Sequence, residues 1–381
     1  MSILSPPQAE NSLLVAARKC LLSFELENPA ISVFHLPERK DPVEGDDETD
    51  TKTKPHAEIN RDIQNCAVSE KNLLAVTTNN KVLFLFTVSR WNPLEANLIG
   101  ERKIPRVSSA IRFSPNGESL LVADKSGDCT LYDCTKENLP ETHLGGHLSI
   151  VTDILFSPDQ RFFITCDRDE KIRVTKFPEI HEIESYCLGH REFVSNIDFL
   201  PHNPSILMSL SGDSTLRLWN YLKGKELYKI TLPGAGIRMI STAENPSSSL
   251  FAAYVHETDS IIIGRISGSN EFKHEILKTI STEDFFLESL TFSRDRHHLM
   301  AFGVSQKEDK NPEILAYNLT DNSKEDLSEI NEKLKDRLGN FKLDNPAELL
   351  SGLFKKKYSN VEEYHERKRK RLEEKSSKKI N

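Results

Sequence analysis

Over roughly the first 320 positions, apolar and polar residues alternate in short runs separated by turn-forming breaks. Leu13–Ala17, Cys20–Leu26 and Ile31–Leu36 are three such runs, broken at Arg18-Lys19 and Asn28-Pro29. A period of two with breaks of this kind predicts strands rather than helices. The same reading gives a second group at Ile63–Val68, Leu73–Thr77 and Val82–Val88. A third lies at Val107–Phe113, Ser119–Ala123 and Cys129–Asp133. Two longer units follow between Gly146 and Asn220. Ile237–Thr242, Leu250–Val255 and Ser260–Ile266 form a sixth group, and Ser289–Phe292, His298–Gly303 and Glu313–Leu319 a seventh. Even spacing without an intervening helical pattern predicts an all-β chain.

The two central units set the architecture. Gly146-His147 and Gly189-His190 are 43 residues apart, and Phe113-Ser114-Pro115, Phe156-Ser157-Pro158 and Phe199-Leu200-Pro201 fall at the same step. Each unit carries an Asp-containing turn before its last strand, and the second ends in Trp219. A period of about 40–45 residues with these marks resembles the WD repeat, one four-stranded propeller blade per copy. The expected fold is all-β, a seven-bladed WD-repeat β-propeller over residues 1–319. A shared blade pairing N- and C-terminal strands would close such a ring. The acidic, Pro-containing stretch 41–56 reads as a disordered insert between blades.

Beyond Leu319 the period changes. Leu327, Ile330, Leu334 and Leu338 form one apolar stripe on a charged helix. Asn345-Pro346 opens a second helix with Leu349, Leu350, Leu353 and Phe354 on one side, and Ser359-x-x-Glu362 is a capping box for a third. Residues 320–381 are therefore expected to be a helical extension ending in a basic tail. That tail includes Arg367, Lys368, Arg369, Lys370 and Arg371. It suits tRNA phosphates, a nuclear-import address or a solvated end, and it lacks the aromatic residues that base stacking needs.

His190, Ser209, Asp213 and Trp219 stand where WD repeats place a hydrogen-bonded tetrad. Buried polar groups of this kind are tolerable only when paired with one another. His147, Thr165 and Asp169 repeat three of the four positions, with Thr175 in place of the Trp. A hydrolase built from Ser, His and Asp is disfavoured, because no Gly-x-Ser-x-Gly elbow is present and the repeat accounts for every member.

The turn around Asp169 is unusual in its charge. Arg168, Glu170 and Lys171 are not required by the turn, and Arg173 follows on the next strand. Arg217 holds the same place one blade later, a position read as a solvated arginine. Lys125 lies in the corresponding turn of the preceding blade. Adjacent blades would bring these turns together as a mixed-charge patch suited to a protein partner.

The segment TCDRDEKIRV, followed by IESYCLGHREFVSNIDF, resembles the WD-repeat, non-catalytic subunit of tRNA (guanine-N7-)-methyltransferase. The likeness is most specific over residues 165–199, and the turn from Ala123 to Asp128 fits it as well. The resemblance implies a heterodimer in which a separate SAM-dependent subunit methylates a guanine of the tRNA variable loop. It makes Lys125, Arg168, Glu170, Lys171 and Arg173 the candidates for docking that subunit. It also implies no cofactor in this chain; a nuclear location, with the cytoplasm as a second site, is the expectation from the basic tail, and no membrane association that from the lack of a spanning apolar run. A generic WD-repeat adaptor, such as a ubiquitin-ligase substrate receptor or a ribosome-assembly factor, is the competing reading.

The bulk numbers agree with this picture. With 381 residues, 37% hydrophobic and 28% charged, the chain can bury a large core. A net charge of −8 excludes a general polycation. The six cysteines show no metal-ligand or disulfide spacing and read as free thiols. The N-terminus lacks the features of a secretory signal, and no apolar run reaches membrane-spanning length. Gly234-Ala235-Gly236 lacks the helix that a nucleotide or SAM loop would open.

Overall fold

The computed structural model describes residues 2–7, 12–37, 62–306, 311–321, 323–339, 352–354 and 368–369. Seven antiparallel sheets follow one another along the chain. Blade 1 contains Ser2–Leu4, Ser12–Ala17, Cys20–Glu25 and Asn28–His35. Blades 2 to 6 each have four strands. They begin at Ile63–Val68, Ser108–Phe113, Val151–Phe156, Val194–Leu200 and Gly236–Asn245. Blade 7 has three: Phe285–Phe292, His298–Ser305 and Pro312–Asn318. This is the seven-bladed β-propeller expected from the repeat. The insert at 41–56 lies outside the described residues.

Burial follows the position of a strand in its blade. Second strands such as Phe162–Asp167 and Ser248–Val255 are buried throughout, because neighbouring blades cover both faces. Outer strands such as Lys225–Thr231 and Lys273–Ser281 are mostly exposed. Continuous apolar runs therefore mark the ring interior, and polar strands mark its rim. Apolar clusters sit between adjacent blades; one joins Ile164, Cys166 and Val174 of blade 4 to Ile197, Leu207 and Trp219 of blade 5.

Polar contacts stitch the inner strands around the channel. Asp153 accepts hydrogen bonds from Asn196 Nδ2 (3.3 Å) and the Ile197 amide (3.1 Å), and Arg112 approaches it at 3.5 Å. Asn196 accepts in turn from the Met239 amide (3.1 Å), and Ser241 donates to Asp198 (3.0 Å). These bonds tie blades 3 to 6 together along their first strands.

The ring does not close through a shared blade. Ser2–Leu4 is the inner strand of blade 1, and the last three strands form a blade of their own. The missing fourth position of blade 7 is filled by helix α1, Ser328–Leu338. Its stripe of Leu327, Ile330, Leu334 and Leu338 is buried in a cluster that joins blade 1 (Val15, Leu22, Phe24) to blade 7 (Met300, Phe302, Ile314). The free edge of Pro312–Asn318 is satisfied by other means. Asn331 donates through Nδ2 to the Ile314 carbonyl (3.0 Å) and accepts from the Ile314 amide (2.8 Å), as a neighbouring strand would. Lys324 bridges Tyr317. A side-chain amide thus stands in for a peptide group, which prevents an exposed edge from pairing with other chains.

The apolar stripe predicted at 327–338 is therefore the observed helix. Most of the second and third predicted helices lie outside the described residues. Gly352–Phe354 is a turn, and its Phe354 ring meets Phe193 edge-on at 5.1 Å. Lys368 and Arg369 are helical and exposed; Arg367, Lys370 and Arg371 lie outside the described residues.

Candidate partner-docking face

The tetrad of blade 5 is complete. Trp219 Nε1 donates to Ser209 Oγ (2.8 Å), so the Ser209 hydroxyl is free to donate to His190 Nε2 (2.7 Å). His190 then carries its proton on Nδ1 and donates to Asp213 (3.0 Å). This chain of donors assigns the tautomer. Burial lowers the pKa of His190, and Asp213 only partly opposes that, so the ring is neutral near pH 7. Burial pushes the Asp213 carboxyl up, but bonds from His190, Thr215 and the Arg191 amide outweigh this and hold it well below the usual carboxylate range. Each member is consumed by structure.

Arg217 is not the solvated arginine expected. It is 7% exposed, and it donates to Thr215 (3.0 Å), Asp213 (3.1 Å) and Glu226 (2.7 Å). A buried guanidinium persists there because its donors meet two carboxylates and a hydroxyl.

Blade 4 differs from the sequence reading in its acid. His147 pairs through Nδ1 with Asp167 (2.8 Å) and through Nε2 with Thr165 (2.6 Å); Asp169 is not its partner. Asp167 is buried at the end of the second strand, where it also accepts from the Lys171 amide (2.9 Å). Burial raises its pKa, the bonds from His147 and Lys171 lower it, and the lowering wins. Asp169 is half-exposed, 3.9 Å from Arg168 Nε. Thr175, in the place of the Trp, is buried with its hydroxyl unpaired.

The charged turns lie next to each other, held by the loop between them. The His147 amide donates to the Gly127 carbonyl (2.9 Å) in the blade 3 turn, and the Arg168 amide donates to the Ile150 carbonyl (3.0 Å). Gly127, at φ +103°, has no room for a Cβ, which would run into the His147 carbonyl. Arg173 Nη1 donates to the Gly146 carbonyl (2.7 Å). Arg173 is thus a half-buried strut beneath this loop rather than a freely projecting charge.

Lys125 and Lys171 are exposed, while Arg168 and Glu170 are half-exposed. Glu170 adopts a left-handed backbone (φ 74°), which turns the chain sharply at the tip. The face therefore combines outward cations with a rigid base. Reading the sequence did not single out Leu148, which stands between the two turns fully exposed.

Among the described residues no group of three or more His, Cys, Asp or Glu is placed to hold a metal ion. No helix among them is long and apolar enough to cross a membrane.

Residues 26–133 and 132–268 match the family described as the tRNA methyltransferase TRM82 WD40 domain. The chain belongs to this family. It is 36% identical over 344 residues to the "tRNA (guanine-N(7)-)-methyltransferase non-catalytic subunit wuho" of Drosophila mojavensis, covering 87% of this chain and 86% of that protein. The protein of the same name from Drosophila melanogaster is 37% identical, covering 83% and 76%. The one from Aedes aegypti is 37% identical, covering 80% and 77%. A chain in the "Crystal Structure of Mitotic Checkpoint Complex" superposes with a TM-score of 0.61 at 14% identity, covering 82% of this chain and 90% of that one; this likeness is of fold alone. The relatives are named as non-catalytic subunits, and this chain is one too. The family favours that reading over a generic adaptor.

Proposed function

We propose that this chain binds the SAM-dependent catalytic subunit of tRNA (guanine-N7-)-methyltransferase through the face that carries Lys125, Arg168, Glu170 and Lys171. Arg173 holds that face in shape from below. The carrying observation is the hydrogen-bonded loop from Gly146 to Ile150, which locks two charged turns side by side in a chain of this family. The chemistry and its SAM belong to the partner, and this chain supplies no cofactor. A subunit that binds only the competent conformation of its partner raises the population of that conformation, by about 2.7 kcal/mol at a hundredfold excess over Kd. Methylation of N7 in the variable loop of tRNA is then faster because more of the catalytic subunit is folded for it.

Lys125→Glu combined with Lys171→Glu tests this reading. Both side chains are exposed, so the propeller stays folded, while co-purification of the catalytic subunit drops. Unchanged complex and activity would refute the docking face. The basic tail belongs to the same proposal, with Lys368 and Arg369 exposed to meet tRNA phosphates or an import receptor. A nuclear location follows from the second use. Replacing Arg367 to Arg371 with alanine in a fluorescent fusion checks it.

A further inference from the structure

We infer that Leu148 is the apolar anchor of the docking face, seated in an acid-rimmed pocket of the catalytic subunit; this rests on the function proposed above. Its side chain is exposed in full, at 107% of the reference, the largest exposure among the large apolar residues of the described chain. The repeat does not require a leucine there. The equivalent position one blade later, after Gly189-His190, is Arg191, an exposed charge of the kind a solvated loop carries.

Nor is Leu148 on a loose loop. His147, one residue before it, is fixed by Asp167 and Thr165, and its amide is bonded to Gly127. Gly146 is held by Arg173, and Ile150 by the Arg168 amide. Every neighbour of Leu148 along the chain except Ser149 is thus tied by a hydrogen bond of 3.0 Å or less. A rigid loop that presents one leucine to water loses little conformational entropy when a partner covers it. That is the physical profile of an interface anchor.

The surroundings say what the partner surface looks like. Lys125 and Lys171 are exposed on the flanking turns and have no ion pair among the described residues. The complementary surface is an apolar pocket that meets the leucine at its centre, with carboxylates at its edge facing the two lysines and a cation facing Glu170. The two kinds of contact answer differently to salt. Rim charges are screened at high ionic strength, and the apolar contact is not.

The test uses the full chain and its catalytic subunit, with affinity measured at low and at about 0.5 M salt. Leu148→Ser should weaken binding about ten- to a hundredfold, the equivalent of one buried leucine. The weakening should persist at high salt, with the thermal midpoint of the free propeller unchanged. Arg191→Ser should bind as the unaltered chain does. If Leu148→Ser binds normally while Lys125→Glu with Lys171→Glu binds weakly, the anchor is wrong and the docking face stands. If both bind normally, the face and the anchor are wrong together. If the unaltered chain fails to bind the catalytic subunit, the function proposed above is itself wrong. A dimer of the free chain that Leu148→Ser dissolves would assign the leucine to a second copy and overturn the inference.

Discussion

Asn331 carries a heavy burden for one side chain. Replacing it with alanine removes both bonds that its amide makes to Ile314, at 2.8 and 3.0 Å. Ile314 is 1% exposed, so its amide and carbonyl lose their partners where water reaches them poorly. Orphaning a buried polar group costs about 1–3 kcal/mol, so two of them cost about 2–6 kcal/mol. Alanine recovers about 0.6 kcal/mol of helix propensity over asparagine. The net loss is about 1.5–5.5 kcal/mol. At about 2.1 cal/mol/K of unfolding entropy per residue, a chain of this size shifts by roughly 1.2 °C per kcal/mol, so the midpoint should fall about 2–7 °C. Asn331→Asp sharpens the test. It keeps the acceptor for the Ile314 amide but sets a carboxylate oxygen against the Ile314 carbonyl, so it should be at least as damaging as alanine. Differential scanning fluorimetry gives the midpoints, and hydrogen exchange of the Ile314 amide reports the local opening. A shift under 1 °C for both variants, with the amide still protected, would show that Asn331 does not cap the open edge of blade 7.

Other expectations follow from the same geometry. Arg173→Met should destabilise the propeller by about 1–2 kcal/mol through loss of a charged hydrogen bond, and hydrogen exchange should rise over residues 147–150. Trp219→Phe should cost about 1–3 kcal/mol, because Ser209 loses a donor and the indole leaves a void; urea midpoints measure it. His190 titrates lower in the fold than in the unfolded chain, so its contribution is complete above about pH 6.5 and is lost as pH falls through the folded value. The Asp213 contribution is complete above about pH 3.9 and is lost at lower pH. Between pH 7.5 and 5.5 the urea midpoint should therefore decline less for His190→Gln than for the unaltered chain, and an equal decline would contradict the assignment.

Much of the fold was legible because strand and blade periods are written in residue type. The step of 43 residues located the blades, and the stripe from Leu327 to Leu338 located α1. Ring closure was not legible, since no period says that the α1 stripe packs between blades 1 and 7 or that an asparagine side chain there imitates a peptide group. The acid of blade 4 was not legible for a related reason. Asp169 aligns with Asp213, but Asp167 sits where blade 5 has Ser211, and burial at the strand end turns Asp167 towards His147. Both choices place an acid in the turn, so sequence spacing alone does not separate them. Arg217 departs from the solvated position expected because an outward-alternating site is solvated only if no neighbouring strand covers it; here the strand of Glu226 does. Leu148 went unnoticed because loop residues obey no period, and its exposure is visible only in three dimensions.

The central claim is that this chain grips and supports a catalytic partner and performs no methyl transfer itself. The direct measurement is incorporation of labelled methyl from SAM into guanine N7 of tRNA, for this chain alone, the catalytic subunit alone and the two together. The account predicts none for the first, little for the second and the full rate for the pair, lowered again by Lys125→Glu with Lys171→Glu. Transfer by this chain alone, or a catalytic subunit that reaches the full rate without it, would contradict the account.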